Sequence, residues 1–312
     1  MALDIVSCAG KAEKPAVVFI HGLGMDKSIW VEPFDSRILG GMLPLTVLIG
    51  KTESAAPREL RTLFHDLRER DFPVIAWSQR RVSGPIRSVI PELETVCRVA
   101  ENMSRTGILL VGHSRGGLIA RAFISRNQSA VRGLVTIATP HKGSAVAKVA
   151  SYLAPVASLI TPLLSRAERR TFAHSLKRIG DFLQSRALQE LLPHSRFFET
   201  LRDEPLPGVS YVSAGGTDPH LFTFSFFSFP GALERIIPEE VFPDEMKQGK
   251  GDGLVSFESS KMPWAEAHFA CECNHAQILF DESLRKTLVS EVERISETIR
   301  KEEQRERGCD MG

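Results

Sequence analysis

Apolar residues in this chain fall in two patterns that alternate along its length. Short unbroken runs of β-branched and aromatic residues, AVVFIHG (16–22), PVIAWS (73–78), GILLVGHS (107–114), VRGLVTIATP (131–140) and VSYVSAGG (209–216), predict strands buried on both faces. Between them, RELRTLFHDLRER (58–70), PELETVCRVAENM (91–103) and GGLIARAFISRNQ (116–128) read as helices, the second with proline in its first turn. AHFACEC (267–273) offers a final strand. DESLRKTLVSEVERISETIRKEEQRER (281–307) predicts a terminal helix with an acidic cap and apolar residues at helical spacing to about Ile299. Strand and helix in this order imply an α/β fold class, a mainly parallel central sheet flanked by helices.

Residues 143–207 interrupt the alternation with an apolar Ala/Leu-rich stretch and then a charged helical one, with no strand visible. They read as a helical insertion, a lid over the core formed by residues 1–142 and 208–312. The most apolar window, 145–164, is broken by Lys148, Pro155 and Pro162, so a transmembrane segment is not expected. Neither is a secretory signal in the first twenty residues. Lys plus Arg number 39 against 38 for Asp plus Glu, which removes the basic excess that would favour nucleic acid as partner. Five scattered cysteines in 312 residues fit reduced thiols and a cytoplasmic location better than a disulfide framework.

Gly112-His113-Ser114-Arg115-Gly116 fits G-x-S-x-G, directly after one predicted strand and opening the next helix. In that setting glycines permit a sharp turn that lifts a serine oxygen clear of the backbone, which makes Ser114 the candidate nucleophile. Such a serine needs backbone N–H donors for the charge that develops on a carbonyl oxygen. Arg115, at the helix start, and Leu23, in His21-Gly22-Leu23-Gly24 after the first predicted strand, are the candidate donors. His21 and His113, each at a strand end, read as structural.

The base is expected late in the chain, after its carboxylate, which singles out His275 in CNHAQ. Two carboxylates compete to orient it: Asp252 in the glycine-flanked turn GDGLV, which the reading favours, and Asp218 in GGTDP after the strand at 209–216. Cys271, Cys273 and His275, with His268 nearby, share one face of an extended strand and offer ligands that suit zinc. Their spacing is wrong for a zinc knuckle or finger, so cysteines buried in a core strand and no metal are expected. The Arg115 side chain reads as exposed or salt-bridged at a helix start, with steering of an acidic substrate group as the other use. The run LFTFSFFSFPGAL (221–233), with five phenylalanines, reads as core, or as the lining of an acyl pocket.

With these motifs in place the sequence resembles the α/β-hydrolases, and more closely their branch of bacterial triacylglycerol lipases and esterases. The matching words, in family order, are His21-Gly22-Leu23-Gly24, Gly112-His113-Ser114-Arg115-Gly116-Gly117, Thr139-Pro140-His141-Lys142-Gly143-Ser144, Gly251-Asp252-Gly253-Leu254-Val255 and Asn274-His275. The resemblance implies Ser114 as nucleophile, Asp252 as acid, His275 as base, and Leu23 and Arg115 as oxyanion donors. It implies a serine carboxylic-ester hydrolase that needs no cofactor, acts on a small-molecule ester or lipid, and touches a lipid interface transiently through its lid. A thioesterase or acyltransferase on the same scaffold, or a noncatalytic binding protein of this fold, is the alternative. Gln277 stands where secreted members of the branch carry a calcium-binding aspartate, and Glu258 where they carry a disulfide cysteine. Calcium and that disulfide are therefore not expected.

Overall fold

The five apolar runs fold as strands of one seven-stranded sheet in the computed structural model, which describes residues 2–38, 43–45, 60–126, 130–145, 185–201, 204–224, 227–229 and 242–309. In chain order its strands are β1 (Asp4–Cys8), β2 (Ala16–Ile20), β3 (Val74–Ser78), β4 (Ile108–His113), β5 (Val131–Ile137), β6 (Ser210–Gly216) and β7 (Ala267–Cys271). Across the sheet the order is β1-β3-β2-β4-β5-β6-β7, parallel throughout except for β1, which runs antiparallel to β3. The pattern along the chain does not reveal β1. Its five residues are half-buried or exposed at the sheet edge, so they carry no run of apolar side chains.

Helices α1 (Leu63–Glu69), α2 (Ile90–Glu101), α3 (Arg115–Ile124) and α4 (Glu282–Cys309) cover the two faces. Alternation along each strand sorts its side chains between two cores. Val17, Phe19, Val74 and Ala76 pack with Leu63, Phe64 and Leu67 of α1 and with Leu288, Val292 and Ile295 of α4. Ala16, Val18, Ile20 and Ile75 pack instead with Leu93 and Val96 of α2 and Leu118 and Phe123 of α3. α1 starts later than the spacing predicts because Thr62 closes a capping box with His65, and that leaves Leu60–Thr62 outside the helix.

Within the predicted lid, the described residues form two short helices, Arg186–Gln189 and Arg196–Thr200; 146–184 lie outside the described residues. The phenylalanine run contributes a two-stranded antiparallel ribbon, Phe222–Phe224 with Phe227–Phe229, and its phenylalanine side chains lie outside the described residues. Among the described residues no helix is long and apolar enough to cross a membrane. The carboxyl ends of β2, β4, β5, β6 and β7 share one edge of the sheet, where ligands bind in open parallel sheets.

Candidate active site

Ser114 stands between β4 and α3 with φ 54° and ψ −128°, a left-handed conformation that costs a non-glycine residue about 1–3 kcal/mol. Two glycines make the sharp turn sterically feasible. A Cβ on Gly112 would lie 2.4 Å from the nitrogen of Gly117, and one on Gly116 2.3 Å from the carbonyl oxygen of Ile20, so α3 starts directly against β2 and β4. The N–H of Ser114 donates to the carbonyl of Ile137 at 2.8 Å, tying the turn to β5. Arg115 is the first residue of α3, where a helix N–H has no intrahelical acceptor. Gly22, just before Leu23, approaches so closely that a Cβ there would sit 3.1 Å from Cβ of Ser114.

His275 lies in the turn after β7 and directs Nδ1–H to Oδ2 of Asp252 at 2.8 Å, with both side chains almost fully buried. The other oxygen of Asp252 accepts from the N–H groups of Leu254 (2.9 Å) and Val255 (2.7 Å), and the His275 N–H donates to the Asp252 carbonyl at 2.9 Å. Asp218, the rival carboxylate, bonds Nδ1 of His220 at 2.7 Å on a partly exposed loop. The TPHKGS segment fixes the turn that carries Asp252. Ser144 Oγ donates to the Leu254 carbonyl (2.6 Å), and Ser259 Oγ to the Gly143 carbonyl (2.6 Å).

The serine and histidine arms meet through His113. Its Nε2–H donates to the carbonyl of His275 at 2.9 Å, and the two rings lie 4.9 Å apart between centroids. No hydrogen bond joins Ser114 Oγ to His275 among the described contacts, and such bonds commonly tighten only with substrate in place. Ser114, His275 and Asp252 are 8%, 2% and 0% exposed, so all three side chains are screened from bulk water.

The sequence profile of the alpha/beta hydrolase family matches residues 17–282, a span that includes every one of these residues. The chain belongs to the alpha/beta hydrolase family. Among solved structures it is similar to the Bacillus licheniformis lipase BlEst2 in mature form, with a TM-score of 0.59 at 16% identity over 92% of this chain and 98% of that one. The propeptide form of the same lipase matches with a TM-score of 0.56 at 17% identity, over 88% of this chain and 50% of that one. No curated protein matches the chain.

Behind the serine of this hydrolase lies a buried polar network that the sequence pattern did not disclose. The Arg115 side chain is neither exposed nor ion-paired among the described residues. It is fully buried, donating to Oε1 of Gln79 (3.1 Å) and to the carbonyl of Gly84, and burial pulls it down to about 10. Gln79 in turn donates from its side chain to the His21 carbonyl (3.0 Å) and from its backbone to Nε2 of His21 (3.0 Å). His21 Nδ1–H donates to the Gly22 carbonyl at 2.9 Å, so the ring is neutral, and burial lowers its pKa to about 4. This chain of bonds holds the loop that carries Leu23. Gln79 follows a buried strand with no motif around it, and only the fold reveals its role.

The cysteines also differ from expectation. β7 is an edge strand, not a core one; Cys271 is buried at its end and Cys273 half-buried beyond it. His275 points to Asp252 and His268 pairs with Ser213 at 2.8 Å, so neither histidine joins the thiols. Asp281 joins them instead.

Proposed function

We propose that this hydrolase is a serine carboxylic-ester hydrolase, an esterase or lipase, in which Ser114, His275 and Asp252 form the catalytic triad. The observation that carries the reading is the buried His275–Asp252 pair. With Nδ1–H committed to Asp252 at 2.8 Å, the unprotonated nitrogen of a neutral imidazole is Nε2, the atom a base needs. In the reaction His275 Nε2 takes the Ser114 proton as Oγ attacks the ester carbon. The N–H groups of Leu23 and Arg115 hold the resulting oxyanion, a contribution worth roughly 3–4 kcal/mol for each donor. The ester C–O bond then breaks, the alcohol leaves with the proton from the imidazolium, and an acyl-enzyme remains. Water, deprotonated by the same nitrogen, attacks that carbonyl, releases the carboxylic acid and restores Ser114. No step calls for a metal or cofactor. Residues 1–142 and 208–312 would form the catalytic core and 143–207 a cap over the sheet edge that holds the site. The lipase name carried by the similar Bacillus licheniformis structure agrees with an ester or lipid substrate.

A fluorophosphonate probe tests this directly. It is expected to label the wild-type chain covalently and to leave Ser114→Ala unlabelled, with circular dichroism unchanged and p-nitrophenyl ester turnover abolished. A folded wild-type chain that takes no label and turns over no ester would instead point to a binding protein of this fold.

A further inference from the structure

From the turn between β7 and α4 we infer a binding site for a thiophilic divalent cation of the zinc type, held by Sγ of Cys271, Sγ of Cys273 and the carboxylate of Asp281. One ligand atom from each side chain lies within 4.8 Å of the other two. A tetrahedral zinc with sulfur and oxygen ligands wants them about 3.6 Å apart, so modest rotations of these side chains close the site. Two thiolates and a carboxylate are a ligand set that such an ion accepts, and a magnesium-type ion does not.

The backbone around the three residues is already fixed. The Cys273 N–H donates to the Cys271 carbonyl (2.8 Å), and that carbonyl also accepts from the N–H of Thr217 (2.9 Å). Asp281 uses Oδ1 to cap α4 through the N–H of Leu284 at 2.7 Å, which sets its carboxylate over the thiols. No Lys or Arg forms an ion pair with Asp281 among the described residues, so no protein cation occupies this position. A cleft of about 280 Å³, lined by Phe269, Leu284 and Thr287 as well as the three ligands, opens directly onto the group. It gives an ion a path in and room for water as the fourth ligand.

This site is separate from the Ser114 chemistry, and its test reads the metal alone, so its failure leaves the hydrolase reading standing. Titration of the reduced full-length chain with Co²⁺ is expected to give one bound equivalent, with sulfur-to-cobalt charge transfer and tetrahedral visible bands, displaced by Zn²⁺. Cys273→Ser should lose much of the charge-transfer intensity and weaken binding by at least roughly tenfold. Asp281→Asn keeps a residue able to cap α4, so it should fold like the parent while also binding more weakly. Absence of the charge-transfer band in the reduced wild type would overturn the inference, as would bands that persist unchanged in both variants. A chain that loses two hydrogens in air to a Cys271–Cys273 disulfide, yet binds no Co²⁺ once reduced, would likewise replace it with a redox pair.

Discussion

At Asp252 both carboxylate oxygens are committed, one to the ring of His275 and the other to two backbone N–H groups. That division makes Asp252→Asn an informative change. The amide oxygen would keep the bonds to Leu254 and Val255, so the NH₂ group would face His275 and force the imidazole to carry its proton on Nε2. A base in that tautomer cannot accept the serine proton, and turnover should fall on the order of 10⁴-fold with the fold intact. Asp218→Asn touches only the bonds that Oδ1 accepts from the N–H and Nδ1–H of His220 on a partly exposed loop, which an amide oxygen can also accept, and steady-state kinetics should find kcat/KM within a few-fold of the parent. A larger loss at Asp218 would reverse the assignment. Both aspartates follow strands or glycine turns near the same sheet edge, so neighbours in sequence could not choose between them. The choice falls to contacts made across 23 residues or more.

α4 shows how an element far from Ser114 supports the sheet. Its apolar residues recur at helical spacing, and Leu284, Leu288, Val292, Ile295 and Ile299 are all buried against the face of the sheet that also carries α1. Arg285 adds an ion pair to Asp66 of α1. Leu288 is 1% exposed, and Leu288→Ala should lower unfolding free energy by about 2–5 kcal/mol in urea titrations. Lys286 lies on the outer face in an exposed ion pair with Glu282, so Lys286→Ala should stay within about 0.5 kcal/mol of the parent. Equal losses at both would contradict the packing described. Elements of this kind were legible in advance because burial on one face writes a period into the sequence. β1 was not, since an edge strand half-open to solvent leaves no such trace.

For the molecule as a whole, three of the four almost fully buried histidines among the described residues, His21, His113 and His141, resist protonation in the folded state. His21 is lowered to about 4 by burial; His113 and His141 are held well below the ordinary histidine range, again by burial first. In the unfolded chain each returns to about 6.5 and takes up a proton below that pH. The folded state refuses that proton, so stability is unaffected above about pH 6.5 and falls as pH drops beneath it. Each ring should contribute a slope of about 1.4 kcal/mol per pH unit, continuing to about pH 4 for His21. Urea midpoints should be level between pH 7 and 8 and decline steeply from 6 to 5; a level midpoint down to pH 5 would mean that these rings protonate without unfolding. The sequence by itself determined the α/β alternation, the five inner strands and the serine turn, because buried strands need continuous apolar runs and a tight elbow needs glycine. Only the tertiary structure decided that His275 faces Asp252, that Arg115 is buried against Gln79, and that Asp281 meets Cys271 and Cys273. Those pairings join residues distant along the chain, and a local pattern of residue types carries no record of which distant partner the fold will bring alongside.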